Sequence, residues 1–513
     1  MRKTVFLVLT LVFVITFCGI PTITADSVTQ KTNAYSYLNS GLTNMPKLTA
    51  EEIWQLLDEN STTMPSSDEI FDTTPSVTAP YTPGKVKNEL LQRVADRLNA
   101  LRTIAGLPVV ALDDELCKNA QYGAVLLAAS AFSHYPDKPG DMSDDFYEKG
   151  VRATSSSNIY AGLSLLSTPD GFMDDSDSSN IDRLGHRRWQ LNPSMGKIGF
   201  GYVLGGSYGR YTTEKVFDQS GTGGDYSFIG WPASGAFPKE LFGKHVAWSV
   251  TVNPSRYEMP EYNTVTVTLT HENDGKTWTF SSGSSDGYFN VNTGSYGISN
   301  CIIFRPDGID TYQGNYTVVI EGLKNSSGKR VDFAYQVNFF SLTSAQPDSV
   351  VLEQFYDVPR DAYYAPAVAW TVKNDITEGT GEHDFSPELI VSRAQAITFL
   401  WRAAGNPEPT SMTSPFSDVT EQYSWEYKAV LWAAERGITN GNGDGKFGVD
   451  DMLSYDQMLT FMCRAAGGDT SGDWSTKALA WAKKNNLTDG LTFTAKADCP
   501  RSDVVYFLWR ELE

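Results

Sequence analysis

The chain has 513 residues, with 41 Lys and Arg against 61 Asp and Glu, for a formal charge of −20. At 41% hydrophobic and 20% charged residues its composition is globular, and at roughly 150 residues per domain its length predicts about three domains. The acidic balance argues against a nucleic-acid binder and against adsorption to an anionic membrane surface, because both need clustered Lys and Arg.

Arg2 and Lys3 precede an apolar run from Val5 to Ile20, then Pro21 and small residues up to Ala25. This is the pattern of a secretory signal over residues 1–25. The run is shorter than the roughly 20 apolar residues of a bilayer-spanning helix, and no second such segment follows, so no membrane span is expected after signal cleavage. Beyond the signal, Cys117, Cys301, Cys463 and Cys499 are far apart and form no CxxC pair. That excludes a zinc ribbon and a disulfide-dense scaffold. A Cys463–Cys499 bridge stays open beside the favoured reading, isolated buried thiols.

Residues 26–84 are rich in Thr, Ser and Pro and read as a linker or arm with one short helix, opened by the capping pair Thr49 and Glu52. From Val86 an apolar stripe through Leu90, Val94, Leu98 and Leu101 predicts an amphipathic helix that Gly106 and Pro108 end. A second helix is expected over Asp113–Ala129. Three motifs follow: Phe132-Ser133-His134, then Ser157-Asn158-Ile159, then Gly185-His186-Arg187 with Leu191-Asn192-Pro193. A Gly-spaced strand, Lys197–Tyr202, has an expected partner at Tyr211–Phe217. Two of the five His head these motifs, with no HExxH. By spacing alone, two isolated His are structural more often than catalytic.

These motifs are similar to those of the bacterial branch of the CAP superfamily (cysteine-rich secretory proteins, antigen 5, pathogenesis-related proteins), over about residues 85–220. The resemblance implies an α-β-α sandwich around a small antiparallel sheet. It also implies an open cleft with two His and two acidic residues, where some members bind a divalent metal. His134 and His186 match the two His. The first acid position is Ser157 here, and Asp175 is the nearest match to the second. Two imidazoles can hold zinc or copper with water completing the shell, with Asp175 as the candidate base. The acidic tract Asp174, Asp175, Asp177 and Asp182 reads as a solvated face, with a hard-cation loop as the alternative.

Residues 221–345 read as β-structure. Val265, Val267 and Leu269 alternate with polar residues, as do Val331, Phe333, Tyr335, Val337 and Phe339 around the turn Asn325–Gly328. Short strands with Gly-rich turns suggest an immunoglobulin-like β-sandwich, expected to act as a spacer.

The last third repeats. Trp370–Gly379, Trp432–Gly441 and Trp481–Gly490 share one spacing, with Ile or Leu and then Thr just before the Gly. Phe399–Gly405, Phe461–Gly467 and Phe507–Leu512 form a second recurring block. Each unit reads as a helix, a Gly turn, a loop and a second helix, and three such hairpins must pack together to bury their apolar faces. The pattern resembles the S-layer homology module. Its opening F-x-D-V stands as Phe355–Val358 and Phe416–Val419, its F-x-P as Phe385-Ser386-Pro387, and its T-R-A-E as Ser392-Arg393-Ala394-Gln395. The expected modules are 352–406, 413–468 and a degenerate 469–513, folded as an all-α pseudo-threefold bundle.

The resemblance implies binding of secondary cell-wall polysaccharide by Arg393 and more weakly Arg501, with Asp357 and Asp418 shaping the grooves. The second signature, Ser454-Tyr455-Asp456-Gln457, lacks the Arg. Most repeat Trp read as core. An EF-hand-like loop at Asn440, Asn442, Asp444, Gly445 and Asp451 lacks the Glu that closes a calcium loop, so an inter-helix turn is the favoured reading.

The expected function is that of a secreted protein, held non-covalently at the cell wall or S-layer, displaying a CAP domain toward an unidentified extracellular ligand. The alternative is a metal-assisted extracellular hydrolase with zinc on His134 and His186.

Overall fold

The structure, a computed structural model, describes residues 47–223 and 225–513. The signal at 1–25 and the start of the arm lie outside the described residues. The chain divides into a unit ending at Leu342 and a unit Thr343–Glu513.

In the first unit, α1 (Ala50–Glu59) opens with the expected capping box. The Thr49 hydroxyl accepts from the Glu52 amide at 3.1 Å, and the Glu52 carboxylate accepts from the Thr49 amide at 2.7 Å. The described part of the arm is not a free linker. Ile53 and Leu57 of α1 enter a core shared with later strands, and β1 (Phe71–Thr73) pairs with β2 (Lys85–Val86). A polar, Pro-rich composition hides this, because a few large apolar residues carry the packing.

Next come α2 (Asn88–Ile104), β3 (Ala111–Leu112), α3 (Asp114–Ala129), α4 (Asp144–Thr154), β4 (Ser157–Ala161), α5 (Thr168–Asp174), α6 (Gly185–Gln190), β5 (Lys197–Leu204) and β6 (Arg210–Lys215). The sheet order is β3-β5-β6-β4, antiparallel except for β3 beside β5. Alternate residues of β5 face opposite sides. Ile198, Phe200 and Tyr202 join the cluster of α2. Gly199 and Gly201 meet α3, where a Cβ would lie 2.5 Å from the Cys117 amide and 2.4 Å from the Ala120 carbonyl carbon. The Gly spacing thus lets a helix lie directly on the strand, and helices cover both faces.

Nine strands follow: β7 (Phe228–Trp231), β8 (Gly235–Pro238), β9 (Trp248–Val252), β10 (Thr266–His271), β11 (Thr277–Phe280), β12 (Gly287–Asn292), β13 (Cys301–Pro306), β14 (Gly314–Glu321) and β15 (Phe333–Phe340). They form two sheets, β11-β10-β14-β15-β8 and β12-β13-β9-β7. Trp231, Trp248, Phe304, Val318 and Phe339 fill one core with Ala100, Leu101 and Ile104 of α2. The region read as a spacer is therefore fused to the preceding domain.

The second unit holds α7 (Asp348–Glu353), α8 (Ala365–Lys373), α9 (Arg393–Ala403), α10 (Tyr427–Glu435), α11 (Tyr455–Ala465), α12 (Trp474–Lys484) and α13 (Arg501–Leu512) around a continuous core. Trp432 is buried in it, and Trp370, Trp401, Trp481 and Trp509 are packed against it, whereas Trp425 is exposed. Isolated bridges link Ile390 to Pro500, Ser392 to Met452 and Ser454 to Asp498. The repeat glycines have the positive φ expected of them, but Gly379 does not end a helix. Helix α8 stops at Lys373, and Gly379 turns the loop against the opening-motif Phe355, whose ring a Cβ would approach to 2.9 Å. Gly441 meets Phe416 in the same way. Gly490 has open space around it, in the repeat that lacks the opening motif.

Candidate functional site

His134 and His186 line one cleft of about 520 Å³. His134 follows α3 in a loop, and its Nδ1 is 2.9 Å from the Thr154 carbonyl, while the Thr154 hydroxyl donates back to the His134 carbonyl at 2.8 Å. His186 is the second residue of α6. Its Nδ1 is 2.7 Å from Asp175 Oδ1, and its amide donates to Asp175 Oδ2 at 2.8 Å. The Nε2 atoms of both rings have no partner among the described residues. An acceptor at Nδ1 fixes the ring and leaves Nε2 available for a ligand.

Asp175 does not occupy the position expected of a base. Its side chain is only 1% exposed, and it lies behind the His186 ring rather than beside the cleft. It follows α5 in the left-handed region, φ 45°, which turns the carboxylate onto the start of α6. It is a positioning residue. Burial opposes charge on His186, but the hydrogen bond and charge of Asp175, with help from Glu214, outweigh it and raise the pKa above the ordinary value.

The acidic tract divides. Asp174 pairs with His245 at 2.8 Å, Asp177 caps Ser179 and Asn180, and Asp182 pairs with Arg183 at 3.0 Å.

A second acid escaped the motif comparison. Glu214 lies on β6, opposite Asn158 of β4, and is fully buried. It accepts from Asn158 Nδ2 and Gln190 Nε2, each at 2.9 Å. Burial pushes its pKa up to about 7 against those bonds and against the His186 and Arg102 charges. Ser157, where the acid was expected, donates to the Ala153 carbonyl at 2.7 Å. No apolar–polar alternation marks Glu214, because the four central residues of β6, Tyr211 to Glu214, are all buried; only the pairing with β4 brings it beside Asn158.

The cleft offers zinc the two imidazoles of His134 and His186 and no third protein ligand among the described residues. No group of three His, Cys, Asp or Glu is placed to hold a metal among the described residues. Asp175 is bonded to His186 Nδ1, and Glu214 to Asn158 and Gln190. The EF-hand-like loop likewise closes on itself, with Asp444 accepting from the Lys446 amide at 3.0 Å.

The wall of the cleft comes partly from the two-sheet region. Tyr296, between β12 and β13, lines it with Trp189 and Phe217. Arg187 and Arg188 of α6 hold the two regions together. Arg187 donates to Ala247 O at 2.7 Å and Ser249 Oγ at 3.0 Å. Arg188 donates to Asn292 Oδ1 at 2.9 Å, Ile298 O at 2.5 Å and Gly294 O.

In the helical unit, three equivalent positions stack on an aromatic of the next repeat. The Arg393 guanidinium lies 5.2 Å from Phe447 and from Phe461. Arg501 lies 4.9 Å from Phe385 and 4.8 Å from Phe399. Tyr455 stacks on Phe493 at 4.3 Å and 10°. Each stands at the start of the second helix of its repeat, and Ser392 with Gln395 forms a capping box there.

The two Arg differ. Arg393 gives Nε to the Phe447 carbonyl at 3.0 Å and borders a cavity of about 280 Å³ with Gln457, Arg464 and Trp474. Burial lowers its pKa, and Asp451 and Asp418 oppose that. The Nη2 of Arg501 is spent on Thr377 Oγ1 and the Gly379 carbonyl. Burial pushes Arg501 down to about 10. The Tyr455 hydroxyl and that of Tyr363 both donate to Asp503, so this position is shut.

Asp357 and Asp418 are half-buried, and each bonds two backbone amides. Asp357 accepts from the Phe385 and Ser386 amides at 2.9 and 2.7 Å, and Asp418 from the Phe447 and Gly448 amides at 2.7 and 2.8 Å. They brace the loops that carry the stacking Phe rings. The four cysteines are free and buried. No described helix is long and apolar enough to cross a membrane.

Residues 95–216 match the family model of the cysteine-rich secretory protein family (CAP), and residues 354–397 and 415–459 match the S-layer homology domain. A cell surface protein of Thermoanaerobacter kivui is 36% identical over 163 residues, covering 31% of this chain and 21% of that protein. An endoglucanase of Bacillus sp. (strain KSM-635) is 32% identical over 111 residues, covering 22% and 11%. The chain thus spans about a fifth and about a tenth of the length of these curated relatives. The chain carries a CAP domain and S-layer homology repeats, and the repeats with the surface relative point to the cell surface.

Proposed function

We propose that this chain is a surface-held binding protein. Its helical unit grips secondary cell-wall polysaccharide, and its CAP cleft receives an extracellular ligand. The observation that carries the anchoring reading is Arg393, held over the Phe447 ring at the edge of a cavity with guanidinium nitrogens to spare. A planar cationic fork beside aromatic faces suits an acidic sugar. The strand order of the two sheets supports the immunoglobulin-like reading, since β7-β9-β13-β12 and β10-β14-β15 follow the ABED and CFG orders of such domains. The three linking bridges and the three matching stacks support the pseudo-threefold reading of the helical unit.

Co-sedimentation of the full chain with purified walls tests the anchoring. The parent chain pellets with intact walls and not with walls stripped of secondary polymer, and Arg393→Ala loses at least tenfold in retention. Equal retention of Arg393→Ala would overturn the reading.

The His186–Asp175 geometry favours a second reading, a hydrolase whose free His186 Nε2 accepts a proton from an attacking water while His134 orients the substrate. Zinc on His134 and His186 belongs to this reading only as a weak two-ligand site. Metal content and peptide- or wall-hydrolysing activity, compared between the parent and the His134→Ala, His186→Ala double variant, test it. Unchanged values in both would remove it.

A further inference from the structure

The cleft is composite. Of the described residues that line it, Tyr296 alone comes from the two-sheet region. Its ring lies 5.0 Å from the Arg188 guanidinium and packs on Gly185, where a Cβ would meet it at 3.0 Å. The loop that carries it is fixed by Arg188, which bonds Asn292, Gly294 and Ile298 on both sides of the ring. Gly297, at φ 75°, sits so close to Trp189 that a Cβ would lie 2.6 Å from the indole. Tyr296 is therefore held in place with little freedom to lose on binding.

The rest of the wall mixes aromatic rings with polar side chains such as Asn158, Asn180 and Arg183. Trp189 and Phe217 stack at 4.2 Å and 22°, and Phe217 is 47% exposed. Tyr135 also lines the cleft and is 74% exposed. The same cleft is lined by His134 and His186, whose Nε2 atoms have no partner among the described residues. A sugar ring has apolar C–H faces and a rim of hydroxyls, so it fits flat aromatic faces flanked by point hydrogen-bonding groups. A lipid chain would need an enclosed apolar chamber, and this cleft is open.

We propose that the CAP cleft binds a wall glycan strand, and that Tyr296 of the two-sheet domain is a specificity-determining residue of that site, its ring supplying one of the stacking faces. This deepens the ligand-cleft reading and rests on it. The middle domain thereby acts in recognition rather than as a spacer.

Titration of the full chain with the hexamer of N-acetylglucosamine tests the proposal. The hexamer is expected to bind the parent and the Arg393→Ala, Arg501→Ala double variant alike, which separates the cleft from the anchor. Tyr296→Ala and Phe217→Ala each weaken binding at least tenfold, while Tyr296→Phe stays within about threefold of the parent, because stacking and not the hydroxyl carries the contact. Phe217→Ala leaves the Arg188 contacts intact, so the test survives if Tyr296→Ala folds poorly. Parent-like binding by both Tyr296→Ala and Phe217→Ala would overturn the role of the aromatic wall. Capture of a wall stem peptide in place of the hexamer, or no binding of the hexamer, would overturn the glycan assignment. If the cleft itself is not a ligand site, hexamer binding persists in the His134→Ala, His186→Ala variant.

Discussion

The Asp175 carboxylate holds His186 at two points at once, Oδ1 2.7 Å from the ring Nδ1 and Oδ2 2.8 Å from the backbone amide. The ring and the start of α6 are thus set by one buried group. In Asp175→Asn the charge is gone and the His186 titration midpoint, followed by NMR, falls from its raised value toward the unperturbed range. Because the folded pKa is raised, the stability from this contact is full below about pH 6.5 and is lost as pH rises through the folded pKa. The variant is expected to lose about 2 kcal/mol at pH 6 by denaturant unfolding and less at higher pH.

Glu214 moves stability in the same direction by a different route. Burial raises its pKa to about 7, so below that pH its ionisation in the unfolded chain draws stability away as pH rises from about 4.5 to about 7. Glu214→Gln removes this dependence. Gln190 can turn its amide to accept from the new side chain, since its Oε1 has no partner. The variant is expected to flatten the pH dependence of Tm between pH 5 and 8, and a slope equal to that of the parent would contradict it.

Arg188 joins two regions that composition separates. Arg188→Ala takes the guanidinium donor from the Gly294, Ile298 and Arg183 carbonyls, of which Ile298 keeps the Tyr296 amide at 3.3 Å, and removes the cation that lies over the Tyr296 ring. The expected loss is about 3 kcal/mol. In calorimetry the described residues up to Leu342 of the parent are expected to melt together, and the variant is expected to separate this into two transitions.

Gly379 and Gly490 occupy equivalent turns with unequal surroundings. Gly379→Ala meets both a positive φ and the Phe355 ring with the Asp384 carbonyl, for a loss of about 3 kcal/mol or more. Gly490→Ala meets only the positive φ, for about 1 kcal/mol. Equal losses in chemical denaturation would refute the link between the opening motif and the turn.

Tyr455 fills the place that Arg holds in the other two repeats. Tyr455→Ala opens a hole beside Phe493 and leaves Asp503 with the Tyr363 hydroxyl alone of its two tyrosine donors, costing about 3 kcal/mol. Wall retention stays at the parent level at temperatures where the variant is folded, in contrast to Arg393→Ala.

The sequence alone determined whatever depends on neighbours along the chain. The Thr49 and Glu52 cap, the stripe of α2, the alternation of β10 and β15, and the positive φ of the repeat glycines each follow from interactions a few residues apart. Motif likeness extended this to His134, His186 and Arg393. Only the tertiary structure decided the roles of Asp175, Glu214, Tyr296 and Tyr455. Asp175 needed the left-handed turn that aims it at His186. Glu214 became a site acid only through strand pairing with Asn158. Tyr296 reached the cleft through Arg188 contacts spanning up to 110 positions. Such contacts join segments whose local patterns are independent, so no short window of residues encodes them; the packing of whole elements does.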